Sequence, residues 1–407
     1  MRTPLSVAAR ANVQPFAVMD ILQRVAELRA AGCDVISLCA GEPSGGAPSA
    51  VSARAAEIHA SGLPLTYTPT LGILELRQAI AGHYRRWYGM ELSANNVAVT
   101  TGSSGAFMLL FLAAFNPGDK VALARPGYPA YKNILKALGI EVIELDAGSE
   151  SHFQPTPELL DAAVQEHGPL AGLVLASPAN PTGTMVTRAE LEALSAWCGE
   201  HGARLISDEI YHGITYPAPG AADPKGVCAW ELDRSGAVIS SFSKYWGMTG
   251  WRLGWALVPD DLIQAVDALA GNVALCPPAP AQMAAIEAFS EQSYVEADAF
   301  VAEFSRTRDY VLGKVAALGW SDAAPANGAF YFYATLGSAR GTFTSSEQYC
   351  VALLESEGVA LVPGDDFDGV GGSATVRLSF AAGYDAVCEA IARIERFQAA
   401  NAQELKG

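Results

Sequence analysis

The sequence predicts an α/β protein: a large domain with a mainly parallel mixed sheet between helices, and a smaller α+β domain drawn from the two chain ends. Three observations predict it. Short apolar runs alternate with amphipathic helical patterns through the middle of the chain. Gly-, Ser- and Pro-rich turns follow those runs. The chain has 407 residues and is 50% hydrophobic and 17% charged, enough apolar material for a large packed core and too much for a disordered chain.

The elements follow in order. An amphipathic helix over Pro15–Ala31 leads out of an N-terminal arm. Strands are expected at Asn96–Thr100, Lys120–Ala124, Ile140–Leu145, Gly172–Ala176, Arg204–Ser207, Ala237–Ser241 and Leu253–Leu257. A helix over Arg188–Glu200 precedes Gly202, a C-terminal stop. After the proline-rich Cys276–Pro280 a helical region runs to about Leu318, followed by strands at Phe330–Ala334, Val359–Val362 and Val376–Ser379. A last helix starts at Tyr384. The expected division is an arm with part of the small domain (1–47), a large domain (48–290) and a small C-terminal domain (291–407). In such a sheet, ligands bind beyond the carboxyl ends of the strands.

Composition narrows the function. Lys+Arg number 26 against 43 Asp+Glu, so the net charge is −17 and repels nucleic-acid backbones and anionic lipid. The most apolar run, Phe107–Phe115, is about half the length that crosses a bilayer. The 7 cysteines are scattered without a C-x-x-C pair, which argues against a disulfide framework or a zinc site and for a reduced, cytoplasmic compartment. No metal ligation is expected. His59, His83, His152, His167 and His201 are expected at the surface, and only His212 lies near a candidate motif.

Four motifs sit at successive strand ends. Ser241-Phe242-Ser243-Lys244 follows a buried strand, and Arg252 lies in the glycine-rich turn beyond it. A buried lysine loses its proton more readily and then attacks an aldehyde, and a guanidinium can clamp a phosphate. Taken alone, Lys244 reads as a loop lysine. Asp208 closes the strand Arg204–Ser207, with Tyr211 three residues later. A carboxylate buried there needs a partner, and a protonated ring nitrogen would serve. Alone it reads as a helix cap. Asn180 sits between prolines in Ser177-Pro178-Ala179-Asn180-Pro181-Thr182-Gly183, which fixes the direction of its amide. Thr100-Thr101-Gly102-Ser103-Ser104-Gly105 opens an apolar helix, a place for an anion. It matches neither the dinucleotide fingerprint nor a P-loop. Together the four describe a ligand with an aldehyde, a ring nitrogen, a phenolic oxygen and a phosphate, which is pyridoxal 5′-phosphate.

On these motifs the sequence resembles the class I and II aminotransferases of fold type I, most closely the bacterial members named aspartate or valine–pyruvate aminotransferases. Gly41-Glu42-Pro43, Tyr67–Gly72, Arg125–Tyr131, Gly328–Tyr331 and Val376–Ser379 extend the resemblance over nearly the whole chain. It implies that Lys244 joins the cofactor's aldehyde and shuttles the substrate proton. It implies that Asp208 keeps the ring nitrogen protonated, that Asn180 and Tyr211 bind the phenolic oxygen, and that Tyr128 stacks on the ring. Ser103, Ser104, Gly105, Ser241 and Arg252 would hold the phosphate, with Tyr67 from a second subunit, so a homodimer is expected. Arg377 would pair with the substrate carboxylate, and Gly41 would close over it. The reaction would be ping-pong transfer of an amino group between an amino acid and a 2-oxo acid.

The chain departs from the dicarboxylate pattern. Where many relatives place a cation for the side-chain carboxylate, it has Gly271 and Ser103. A neutral amino donor is therefore expected, such as alanine, valine or another apolar or aromatic amino acid, with pyruvate or 2-oxoglutarate as acceptor. Aspartate is the alternative. A C–S β-lyase would use the same Lys, Asp and Arg, and ammonia release would reveal it. A non-catalytic regulator would need a DNA-binding domain, and no basic helix-turn-helix pattern precedes Gly41.

Overall fold

The computed structural model describes residues 5–16 and 18–404. The first four residues of the expected arm and the last three of the expected small domain lie outside the described residues.

Among the described residues twelve strands form three sheets: β1 (Ile36–Ser37), β2 (Val97–Thr100), β3 (Lys120–Arg125), β4 (Glu141–Asp146), β5 (Gly172–Ala176), β6 (Arg204–Asp208), β7 (Ala237–Ser241), β8 (Gly254–Leu257), β9 (Tyr331–Thr335), β10 (Val359–Ala360), β11 (Val362–Pro363) and β12 (Thr375–Ser379). The seven-stranded sheet has the order β2-β8-β7-β6-β5-β3-β4. Its pairs are parallel except those of β8, which is antiparallel to β2 and β7. Strands β2, β5 and β7 read as continuous apolar runs because helices cover both faces, and they are buried along nearly their whole length. The sheet's two faces build separate cores, one around Leu173, Leu205 and Trp255 and one around Leu110, Val174 and Ile239.

Register brings the strand ends level. Asp208 pairs with Ala176 and with Ile239, while Thr100 and Ser241 both face Gly254. The carboxyl ends of β2, β5, β6 and β7 and the amino end of β8 therefore share one edge.

Helices start and stop where the chain signals them. The helix Arg188–His201 opens with a Thr187–Glu190 capping box and ends on Gly202 at φ 66°. The expected Pro15–Ala31 helix is seen as Val18–Ala30. The helical region after Pro280 is interrupted rather than continuous: Ala279–Ala285, a 3-10 turn at Ile286–Phe289, then Glu291–Lys314 opened by Ser290.

The chain ends differ from expectation in one respect. Val359–Val362 is not one strand. It breaks at Leu361, so β10 pairs in parallel with β1 while β11 pairs antiparallel with β12. Strand β1 carries too short an apolar pattern to be read alone. It forms because β10 supplies its partner, which joins the N-terminal segment to the C-terminal region.

Candidate active site

The shared strand edge collects the candidate residues. Lys244 follows β7, and its Nζ donates to Gly41 O at 2.6 Å. The nitrogen lies 5.8 Å from the Tyr211 ring centroid. Burial pushes the amine down to about 8, against the opposing charges of Glu42 and Asp208 and with help from Arg252 and Arg377. It is thus closer to its nucleophilic form than an exposed lysine.

Asp208 ends β6 and is buried. Its Oδ1 accepts the Ile210 N–H at 3.1 Å, and its Oδ2 accepts the Tyr131 hydroxyl. Burial raises its pKa to about 6, although both hydrogen bonds and Lys244 oppose the rise. The carboxyl is therefore held at the point where a nearby cation decides its charge.

Asn180, after β5, reaches across to Arg377 on β12: Nη1 donates to Asn180 Oδ1 at 2.9 Å. Nη2 donates to Cys39 O at 2.8 Å, while Nε, buried, has no partner. The guanidinium carbon stands 4.5 Å from the Tyr331 ring centroid and 4.9 Å from that of Phe367. This is a dry, planar seat for a carboxylate. Tyr211 is buried, and its hydroxyl lies 2.9 Å from that of Tyr331. A side chain added at Gly41 would place Cβ 3.5 Å from the same Tyr331 hydroxyl. Tyr128 is stacked with Phe16 at 6.2 Å and meets Tyr131 edge-on at 5.3 Å.

A second group lies at the ends of β2 and β8. Ser103, Ser104 and Gly105 form the first turn of the helix Gly102–Ala114, whose N-cap Thr101 makes no side-chain cap bond. The first-turn N–H groups are thereby left for a ligand. Two glycines are needed here for close approach. A Cβ at Gly102 would lie 2.5 Å from Arg252 Nη2, and one at Gly254 would lie 2.8 Å from Ser103 N. Ser241 Oγ is buried, 2.8 Å from Ser243 Oγ and 3.2 Å from Leu253 O. Arg252 is exposed and donates to Thr249 O at 2.9 Å. Tyr67 is 80% exposed and stands apart from both groups in its contacts.

Sequence reading missed Tyr131, Tyr331, Phe367 and the Cys39 carbonyl. Tyr331 and Tyr333 share a face of β9 with Arg377, which pairs with Tyr333 in register. That pairing is set by a sheet formed across distant segments, so only the period of β9 hinted at it. The surface placement of His83 is wrong. It is 4% exposed, packed among Trp87, Trp246 and Tyr294, with burial holding it down to about 3. Its helix turns that face to the core. His212 is also buried, behind the candidate residues and against Tyr88 and Glu209.

Among the described residues no helix is long and apolar enough to cross a membrane. Residues 33–394 match the family model for aminotransferase class I and II. The chain is 47% identical to the valine–pyruvate aminotransferase of Mycobacterium tuberculosis, over 95% of this chain and 97% of that protein. It is 34% identical to the aspartate aminotransferase of Geobacillus stearothermophilus, over 96% and 98%. A crystal structure of an aminotransferase from Mycobacterium tuberculosis superposes with a TM-score of 0.92 at 46% identity, covering 98% of this chain and all of that one. On this match the chain belongs to the class I and II aminotransferases.

Proposed function

We propose that the protein is a pyridoxal 5′-phosphate-dependent aminotransferase that prefers a neutral amino acid as donor and pyruvate or 2-oxoglutarate as acceptor. The observation that carries the cofactor reading is the pairing of a half-buried amine of lowered pKa, Lys244, with a buried carboxyl, Asp208, at neighbouring strand ends. The rest of the donor set fits the group. The Arg252 guanidinium lies against Gly102 beside uncapped helix N–H groups, and Arg377 keeps a buried Nε–H without a partner.

When bound, the cofactor supplies an aldehyde for an amine and a ring that draws electrons from the substrate Cα. The chain's residues do the rest. Asp208 would hold the proton on the ring nitrogen, and Tyr131 keeps the carboxyl oriented. Asn180 and Tyr211 would donate to the phenolic oxygen, and Tyr128 would pack against the ring. Ser103, Ser104, Gly105, Ser241 and Arg252 would hold the phosphate. Arg377 takes the substrate carboxylate in a fork and so fixes the Cα–H toward Lys244. Lys244 Nζ would take that proton from Cα and give it up on the cofactor side.

Three observations support a neutral donor. A Cβ added at Gly271, in the helix Ile263–Val273, would meet the Thr70 methyl at 3.2 Å and no cation, and Ser103 is uncharged. A cavity of about 430 Å³ beside Tyr128 and Asn180 has walls that include Val174, Phe153 and Phe367. Of the lysines that border it, Lys132 is held by both oxygens of Glu144 and Lys136 sits in the last turn of its helix. Leaving a side-chain carboxylate unpaired in a closed site costs several kcal/mol. The relative named for valine and pyruvate agrees with this reading.

Homodimerisation is part of the proposal. Leu63, Leu65 and Tyr67 on one loop, and Val273 and Leu275 at the end of the helix Ile263–Val273, are exposed. The Thr70 hydroxyl, bonded to Asp267, ties the two segments together. Tyr67 would then reach the phosphate of the partner's site. The division at 47/48 and 290/291 is likewise proposed, with the seven-stranded sheet in the large unit. Steady-state transfer from valine, alanine and aspartate to pyruvate and 2-oxoglutarate tests the reading. Faster transfer from valine or alanine than from aspartate is expected. Aspartate as the best donor would overturn the substrate assignment.

A further inference from the structure

Behind the site lies a buried polar cluster that amine transfer does not use. Asp208 and Glu209 are consecutive at the end of β6, so their side chains leave on opposite faces. Asp208 faces the candidate site. Glu209 borders a small cavity of about 10 Å³, about the size of a single water, lined also by Tyr88, His212, Ser240, Ser241 and Tyr245.

Glu209 is 1% exposed. Its Oε1 accepts the Ala229 N–H at 2.7 Å and lies 3.1 Å from Ser207 Oγ. Its Oε2 has no hydrogen-bond partner and stands 3.5 Å from His212 Nδ1. That nitrogen is engaged by the Tyr88 hydroxyl at 2.7 Å. Among the described residues no lysine or arginine forms an ion pair with Glu209. An ionised carboxylate in this place would be a buried, uncompensated charge, and one residue from Asp208 it would also repel that carboxylate. The Ala229 N–H, the Cys228 thiol and the Ser207 hydroxyl favour the ionised form, but burial outweighs them and no cation among the described residues stands beside it. Burial holds His212 down to about 3, and it holds the Tyr88 hydroxyl and the Cys228 thiol far above neutrality. Burial lifts Glu209 itself to about 8.

We propose that Glu209 is a positioning residue that works as a neutral acid: its side chain ties the end of β6 to Ala229, and its lack of charge leaves Asp208 as the only carboxylate charge at this strand end. The effect on the site rests on the role proposed above for Asp208, whereas the protonation of Glu209 does not.

Infrared difference spectra of wild type against Glu209→Gln at neutral pH read the protonation directly, with or without cofactor. Loss of a protonated-carboxyl carbonyl band in the variant is expected. Loss of carboxylate bands instead would overturn the proposal. The second readout is the pH midpoint for cofactor affinity in the holoenzyme, which Asp208 governs. Glu209→Gln is expected to leave that midpoint, kcat and KM unchanged, while Glu209→Leu lowers kcat by about tenfold or more. A midpoint lowered by about one unit in Glu209→Gln would mean that a charge had been removed, and the proposal would fail. Equal losses in the Gln and Leu variants would also sink it. Failure of both proteins to bind cofactor would count against the proposed function, and the infrared result would still decide Glu209.

Discussion

At one end of the candidate site Asp208, Asn180, Arg377 and Tyr211 are buried and hydrogen-bonded to neighbouring groups; at the other, Arg252, Ser104 and Tyr67 are exposed. The first end is assembled from β5, β6, β9 and β12 within one chain, and its partners are already in place. The second is a helix N-terminus and an arginine that meet solvent, to which Tyr67 of a second copy is proposed to add. A charge in the dry end acts through a low dielectric and has no substitute when removed. A charge in the wet end is screened, and water replaces it in part. Mutational effects should therefore fall from the buried end to the exposed one.

The largest effect is expected at Lys244. Lys244→Ala removes the amine beside Gly41 O and should cut single-turnover amine transfer by at least about 10³-fold. Asp208→Asn should follow, at about 10²-fold in kcat, because a neutral amide cannot hold a ring cation. It also carries a pH signature. Asp208 titrates near 6, above the ordinary carboxylate range, so it is protonated below that pH and ionised above it. Cofactor affinity, followed by fluorescence, should fall as pH drops through about 6, and Asp208→Asn should flatten that limb. A residual loss below pH 6 in the variant would assign the limb to another group.

Arg377→Lys comes next. It keeps the charge and loses the fork, so KM for the amino donor should rise by about 10²-fold while kcat changes less. An unchanged KM would remove Arg377 from the substrate site. Arg252→Ala should weaken cofactor binding by about tenfold, with smaller losses at high salt, since the group is exposed. Tyr67→Phe should cost only a few-fold in cofactor affinity. A loss larger than that of Arg377→Lys would reverse the order of the two ends.

The same contrast explains what the sequence revealed. Lys244, Asp208, Asn180 and the Ser103–Gly105 turn were legible because each follows a strand in the chain order that a βαβ fold imposes. Local pattern and topology agreed, so strand ends far apart in sequence meet on one edge. Tyr131, Tyr331 and the Cys39 carbonyl were not legible as site groups because their roles depend on pairing across segments. Tyr331 meets Arg377 only through the β9–β12 register, and Cys39 reaches it only because β1 pairs with β10. His83 was misplaced because an isolated histidine on a helix says nothing about which face packs inward. The break at Leu361 was hidden within an unbroken apolar run whose halves answer to different sheets.

The most direct test is the visible absorbance of the purified protein, titrated with single amino acids. A visible band that alanine or valine bleaches, and aspartate leaves largely intact, is the predicted result. It would join Lys244, the cofactor and a neutral donor in one observation. Rapid bleaching by aspartate would contradict the reading of Gly271 and Ser103. No visible band after addition of pyridoxal 5′-phosphate would contradict the central claim that Lys244 and Asp208 hold this cofactor.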